Sequence, residues 1–405
     1  MKVADVCPVP KTSNPSQIQD FRPISKLPVF SKVLEKVFCK KFLVPYVKDK
    51  VDANQFAYIP GAGKGTVSAL TSMQLHILRH LDGDSGGVRV AAVDLSKAFD
   101  SVTHGTIVEA CHRFNLAKEV VEFIVSYLHN RYQRVCVNDS SSGFVEVTSG
   151  VPQGSIMGPI LFSLVIDSFT PVYNNSVVFK YADDITILHF LRNDSDDCLQ
   201  SEFDNIYSWS VSNKLSVNES KSFVMDVITK KSLFCNPVHL SGSSISVVPH
   251  LKILGCWLSN DLKWNLFVDH ITKASSRRIY LILSLKRAEC DPDTMFQAYA
   301  ALIRHILLYA FPAVCNMPSF LRDRLLRVEK RVFRIIGDTK KFPELFSVGD
   351  KMCHKMFSKV LSDNNHPLRK FFCINRFTRV RSFSALRKPK TKTQRYANSF
   401  IKYCK

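Results

Sequence analysis

Three aspartates in this 405-residue chain stand where carboxylates can act together. Asp94 closes a largely apolar run, Val88 to Val93, that reads as a buried strand. Asp183 and Asp184 fall in the string Tyr181-Ala182-Asp183-Asp184, between the short strand-like runs Val177–Tyr181 and Ile185–Leu188. That arrangement predicts a tight hairpin carrying both carboxylates at its tip. Carboxylates from two chain segments suit phosphoryl transfer from a nucleoside triphosphate. Charge builds there on the attacking and leaving oxygens, and two magnesium ions about 3.5–4 Å apart neutralise both. Taken alone, the string also fits an acidic surface turn, so its neighbours have to decide.

The elements around these residues alternate irregularly. Leu27 to about Phe42 reads as a helix with Phe30, Val33, Leu34, Val37 and Phe38 on one face and lysines opposite. A Gly-rich loop, Pro60 to Gly65, opens a second helix that runs to about Leu81. Helices are expected over His104–Arg113 and Lys118–His129, then β-segments at Gln133–Val137 and Phe144–Thr148 joined by a turn. A helix follows Gly158, another covers Ser201–Ser212, and β-like stretches lie near Phe223–Ile228 and Leu251–Leu258. Beyond Asn265 the chain reads as helical up to a basic tail. This order points to an α+β protein, not a parallel doubly wound sheet.

The loop Gly61-Ala62-Gly63-Lys64-Gly65-Thr66 imitates a phosphate-binding P-loop. It has Tyr58 where that pattern needs its first glycine, and Gly65 where it needs Ser or Thr after the lysine. A flexible basic loop at a helix N-terminus still suits a nucleic-acid phosphate. His76 and His80, one helical turn apart, form half of a metal site but lack a third ligand. Twelve cysteines are scattered from Cys7 to Cys404 without a Cys-x-x-Cys pair, which argues against a zinc cluster and for reduced thiols.

The formal net charge is +20, concentrated at the C-terminus, where residues 351–405 carry fifteen Lys and Arg against the single acid Asp363. Such a stretch seeks polyanions, foremost nucleic acid. Interleaved Phe371, Phe372, Phe377, Phe383, Tyr396, Phe400 and Tyr403 suit contact with bases or with a folded surface. No apolar run is long enough to span a bilayer, and Met1 to Asp5 opens no signal peptide. No membrane association is expected, and the location expected is nucleus or cytoplasm.

Further strings follow in a fixed order. Val93-Asp94-Leu95-Ser96-Lys97-Ala98-Phe99-Asp100 resembles motif A of the reverse transcriptases of non-LTR (LINE-type) retrotransposons. Ser149-Gly150-Val151-Pro152-Gln153-Gly154-Ser155 through Pro159 is similar to their motif B, and Tyr181–Asp184 to motif C. Lys214 to Ser222 resembles motif D, Leu254-Gly255-Cys256-Trp257-Leu258 the primer-grip motif E, and Asp20 to Ser25 with the Lys32–Lys36 helix the first fingers motif. The resemblance covers about residues 5–340 and suggests an N-terminally truncated member.

It implies an RNA-directed DNA polymerase that extends a DNA primer on an RNA template with dNTPs and two Mg²⁺ ions, for which Mn²⁺ can substitute. The alternative is a catalytically impaired nucleic-acid-binding remnant. Asp94, Asp183, Asp184 and the Leu95 carbonyl would ligate metal. Phe99 would exclude a ribose 2′-hydroxyl, and Gln153 and Gly154 would lie against the nascent base pair. Lys11 and Arg22 would grip the triphosphate, and Lys221 would protonate the departing pyrophosphate. The implied architecture is a right hand: partial fingers over 1–85, a palm of antiparallel strands over 86–261 with 115–150 packing against the fingers, a helical thumb over 262–345 and a basic tail over 346–405. The family's usual arginine near Tyr58–Thr66 is absent, with Lys64 standing close by.

Overall fold

The computed structural model describes residues 2–61, 63–83, 86–229, 233–337, 342–374 and 386–403. The strands that frame the site are, in chain order, β1 (Val3–Pro10), β2 (Phe21–Lys26), β3 (Gly87–Leu95), β4 (Tyr132–Val137), β5 (Ser176–Tyr181), β6 (Asp184–Leu191), β7 (Val217–Ile228), β8 (His250–Ile253) and β9 (Cys256–Ser259). The helices that matter most are α1 (Val29–Phe38), α2 (Thr66–Leu81), α3 (Met157–Asp167), α4 (Ser319–Ile336) and α5 (Leu345–Ser362). The fold is α+β, a right hand with antiparallel palm, fingers and helical thumb.

The palm sheet runs β5-β6-β3-β7, every neighbour antiparallel. The inner strand β3 is largely apolar on both sides, as suits a strand covered on two faces, save for buried Arg89, which pairs with Asp197 and Asp226. Val88 and Val90 face the core shared with α2 and the thumb, while Ala91 and Val93 face the core built on α3. In α3, Met157, Leu161, Phe162, Leu164 and Val165 are wholly buried. Each such side chain contributes about 1.5–3 kcal/mol by leaving water, which pins the platform beneath the catalytic edge.

In the fingers sheet β4 falls where a strand was expected, but β1 and β2 were not legible as strands. Val3–Pro10 and Phe21–Lys26 pair antiparallel, and Val3–Val6 pairs parallel with Tyr132–Val135 of β4. Prolines at 8, 10 and 23 argue against strand, since proline donates nothing to a ladder. The topology resolves this, because Pro8 and Pro10 lie beyond the stretch of β1 that β4 covers.

Four further expectations change. The stretch Leu251–Leu258 is a hairpin, broken at Leu254 (φ 46°) and Gly255 (φ 80°), not one strand. Helix α2 packs under the palm strands through Ala69, Leu70, Met73, Ile77 and Leu78, so it belongs with the palm and not the fingers. In α1 the buried residues are Ser31, Glu35 and Phe38. Of the expected apolar face only Phe38 is turned in, while Phe30 is 80% and Val33 54% exposed. Finally, the C-terminal segment is no free tail. Phe371, Phe372, Tyr396, Phe400 and Tyr403 are buried in the core shared by thumb and palm, so these rings meet a folded surface, not bases. Phe377 and Phe383 lie outside the described residues. No described helix is long and apolar enough to cross a membrane.

Candidate active site

Antiparallel pairing brings the three aspartates to one edge of the palm. Asp94 stands at the end of β3, and Tyr181 pairs with Asp184 across the β5–β6 turn. In that turn Ala182 adopts φ 58°, a left-handed conformation that disfavours an L-residue with a side chain by roughly 1–2 kcal/mol. Strain of this kind gathers at functional turns.

The electrostatics show that the three carboxylates share one field. Burial raises the Asp94 pKa, opposed by Lys221; nearby Asp183 adds to the rise, and the Asn218 amide and Lys11 oppose it. Burial likewise raises Asp183, opposed by a backbone hydrogen bond and by Arg22. Asp184, still open to solvent on one side, is pushed up to about 6 by burial and then by the negative charges of Asp183 and Asp94. Repulsion among all-oxygen donors fits a hard divalent cation. The side chains converge without closing: among the described residues no three His, Cys, Asp or Glu side chains form a ready coordination shell.

A bulge delivers the lysine. Ala92 pairs with Phe223 and Asp94 with Asn218, so Val93 alone on β3 faces Glu219–Ser222 on β7. Lys221 projects from that bulge into a cavity of about 400 Å³, which Asp94, Asp184, Lys252 and Trp257 also line. The β8–β9 hairpin closes its far side. The Tyr309 hydroxyl of the thumb donates to the Leu254 carbonyl in the hairpin turn. Lys221 therefore sits on the hairpin side, whereas Lys11 and Arg22 approach from the fingers. Lys11 Nζ donates to the Gln19 carbonyl at 2.8 Å, and exposed Arg22 lies close enough to Asp183 to lower its pKa.

The Gly150–Gly154 turn locks fingers to palm. Gln153 Nε2 donates to both Asp100 oxygens at 2.9 Å, and the Ser25 N–H of β2 donates to the Gln153 carbonyl at 2.7 Å. Gly154 has φ 116°, and a Cβ there would stand 2.8 Å from the Ser25 carbonyl oxygen. Phe99 packs on Phe162 at 4.5 Å and meets the edge of Tyr58 at 6.3 Å. Leu95 is buried at the strand end beside Asp94.

Sequence reasoning missed Asp100, which holds Gln153, and Tyr58, which caps Phe99 and feels the charges of Asp183 and Asp184. Their signal was proximity in space, which one chain read linearly does not carry. Lys64 does not offer itself to phosphate. Its Nζ donates to the carbonyls of Asp52 (3.2 Å) and Ala53 (3.1 Å) and lies over the Phe56 ring.

A family model described as reverse transcriptase (RNA-dependent DNA polymerase) matches residues 9–258, a span holding the three aspartates, the Gly150–Gly154 turn and most of the β8–β9 hairpin. The chain belongs to that family. Its curated relatives are polymerases of non-LTR retrotransposons. The probable RNA-directed DNA polymerase from transposon BS of Drosophila melanogaster is 28% identical over 293 residues, 69% of this chain and 31% of the relative. The RNA-directed DNA polymerase from mobile element jockey of Drosophila funebris is 26% identical over 313 residues, 73% of this chain and 33% of the relative. The chain spans about a third of the length of these relatives. Among solved structures, telomerase from Candida tropicalis in complex with a fragment of telomeric RNA superposes at TM-score 0.47 and 11% identity, covering 88% of this chain and 62% of that one. Reverse transcriptases are divalent-metal dependent, in keeping with the all-carboxylate donor set found here.

Proposed function

We propose that this chain is the RNA-directed DNA polymerase of a non-LTR retrotransposon, extending a DNA primer on an RNA template with dNTPs. The observation that carries the reading is that Asp94 and Asp184 line one cavity closed by the β8–β9 hairpin, with Asp183 near enough for its charge to raise the pKa of both. Two Mg²⁺ ions, when bound by these carboxylates and the Leu95 carbonyl, would supply the positive charge that phosphoryl transfer needs on both reacting oxygens. The chain's own residues do the rest. The hairpin, with Trp257 and Lys252 on the cavity wall, holds the primer end against Asp94 and Asp184. Lys11 and Arg22 take the triphosphate from the fingers side, where a guanidinium suits paired phosphate oxygens. Phe99, backed by Phe162, fills the space under the sugar and rejects a 2′-hydroxyl. Gln153 and Gly154 present a flat backbone surface to the nascent base pair. Lys221 is assigned the proton donated to pyrophosphate, a role that asks it to reach across Asp94 from the hairpin side.

Exposed Arg327, Lys330, Arg331 and Arg334 on α4 give the thumb a basic face suited to a duplex backbone. A nuclear or cytoplasmic location accords with ten free cysteines among the described residues, of which Cys39, Cys111 and Cys256 have thiols that burial pushes up to about 12.

The test is primer extension on poly(rA)/oligo(dT) with Mg²⁺, beside Asp183→Ala. Extension by the unaltered chain alone is expected. Equal signal from both proteins, or none from either, would refute polymerase activity. A second reading, a nucleic-acid-binding remnant, draws on the uncovered apolar face of α1 in the fingers. It predicts salt-sensitive RNA binding without dNTP incorporation.

A further inference from the structure

The two histidines one helical turn apart in α2 find a use unrelated to metal. They line a second cavity, of about 620 Å³, on the opposite end of the palm from the aspartates. Its walls are His76, Arg79, His80 and Gly83 from α2 and its end, Asn174 and Val177 from the start of β5, and Phe190 and Arg192 from the end of β6. The β6 strand runs from Asp184 to Leu191, so this cavity lies about 25 Å from the catalytic edge at the usual strand rise.

No carboxylate lines it among the described residues. Asp82 and Asp196 stand outside the lining, each held by backbone N–H groups. Asp82 accepts from the Lys392 N–H at 2.8 Å and the Thr393 N–H at 2.6 Å. Asp196 accepts from the Arg192 backbone N–H at 2.9 Å. Arg79 is exposed, lines the cavity and spends one N–H on the Lys370 carbonyl at 3.2 Å. The Arg192 side chain is exposed and has no ion pair among the described residues. His76 Nε2 is buried without a hydrogen-bond partner among the described residues. Burial, then the positive charges of Lys370 and Arg79, press the His76 pKa down to about 3. Burial also lowers His80, where Arg192 adds to the effect against the Leu191 carbonyl and Asp196. The cavity wall therefore carries two arginines, with the Asp196 carboxylate outside the lining as a counter-charge felt at His80.

Its inner wall is aromatic as well. Phe190 stacks with His76 at 6.2 Å and 25° and lies 4.9 Å from His80. Paired arginines suit phosphate oxygens, and flat rings suit a base. From this juxtaposition we propose that the cavity between α2 and the β5–β6 ends binds a nucleotide unit of a single-stranded RNA, with Arg79 and Arg192 on its phosphates and Phe190 and His76 beside its base. A membrane surface fits less well, because the site is a concave pocket walled by two arginines. The site is separate from the polymerase reading, since it needs neither metal nor dNTP.

The test uses the full chain and a fluorescent single-stranded RNA 12-mer without primer, read by anisotropy across a salt series. Arg79→Gln combined with Arg192→Gln is expected to weaken binding roughly tenfold and to flatten the log–log salt slope by about 1.4, the value for two single-strand phosphate contacts. Lys388→Gln with Lys390→Gln removes equal charge from the exposed C-terminal stretch and serves as the control. Equal losses in both pairs, or no change in the arginine pair, would overturn the proposal. Inorganic phosphate or AMP that displaces the RNA at sub-millimolar concentration would assign the site to a free phosphate compound and overturn the strand reading. Should the arginine pair unfold, 4-thiouridine crosslinking of the unaltered chain decides. Adducts in residues 76–83 or 190–192 are expected, and adducts confined elsewhere refute it. Asp183→Ala should bind this RNA normally, so a failure of the polymerase reading would leave this outcome readable.

Discussion

Replacing Glu35 should loosen the Gly150–Gly154 turn from a distance. Helix α3 begins at Met157, and its N-cap residue, Ile156, has no side chain able to accept from the first turn. Glu35 of the fingers helix supplies the acceptor. Its Oε2 takes the Ile156 N–H at 2.7 Å and the Met157 N–H at 3.0 Å, and the residue is 3% exposed. A carboxylate at a helix N-terminus also complements the helix dipole. Each hydrogen bond to a charged group contributes about 1.5–3 kcal/mol. Removing both is partly offset by no longer burying a carboxylate. Glu35→Ala should therefore destabilise the start of α3 by about 3 kcal/mol, and Glu35→Gln, which keeps an oxygen, by about 1.5 kcal/mol.

Hydrogen exchange of peptide 155–167 reads this directly. At 1.36 kcal/mol per decade, protection should fall about a hundredfold in the alanine variant and about tenfold in the glutamine variant. The thumb helix Asn265–Ser276 is the internal reference. Since Gln153 lies three residues before Ile156, KM for dNTP should rise before primer affinity changes. A loss below threefold in Glu35→Ala, or equal losses in the two variants, would refute the capping role.

Three further outcomes are expected. Asp184 is raised in the folded state to about 6 against the ordinary carboxylate value, so folding is penalised as pH climbs through 6 and relieved below it; Mg²⁺ should raise Tm at pH 8 and hardly at pH 5, and equal shifts at both would count against carboxylate ligation. Phe99→Val should raise the ratio of ribonucleotide to deoxynucleotide incorporation by about 10-fold or more, worth at least ~1.4 kcal/mol of discrimination, and an unchanged ratio would remove Phe99 from sugar selection. Gly154→Ala places a Cβ 2.8 Å from the Ser25 carbonyl at φ 116°; single-nucleotide insertion should lose at least a decade in kcat/KM for dNTP, and wild-type kinetics would show that β2 yields freely.

What was legible in the sequence was local and ordered. Asp94, Asp183 and Asp184 could be found because strand ends and a hairpin tip place side chains by short-range rules. The strands β3, β5 and β6 read correctly because both palm faces are covered and their sequences are nearly all apolar. Features set by distant partners stayed hidden. Helix α1 has an apolar stripe that predicts burial, yet apart from Phe38 the residues turned inward are Ser31 and Glu35, the latter capping α3. Lys64 looked free to meet phosphate, but two carbonyls of the preceding loop hold it. The break at Leu254-Gly255 was masked by apolar residues on both sides, although two consecutive positive φ angles are what a two-residue hairpin turn demands.

The fingers and the Gly150–Gly154 turn are tied at several places, and this constrains how they can move. Arg22 lies on β2, whose Ser25 N–H binds the Gln153 carbonyl and whose Ser25 carbonyl abuts Gly154. Gln153 in turn holds Asp100, six residues from Asp94 on the palm. Glu35, on the helix after β2, grips the start of α3. A rigid swing of β2 toward Asp183 would have to stretch the Ser25–Gln153 bond, break the Gln153–Asp100 pair or pull Glu35 from α3. The Gln153–Asp100 pair is a firm restraint, because breaking its two hydrogen bonds would leave a carboxylate unpaired where burial already disfavours its charge. Any movement that spares these restraints therefore carries β2, α1 and the Gly150–Gly154 turn together, so that Arg22 and Gln153 shift as one unit relative to Asp183.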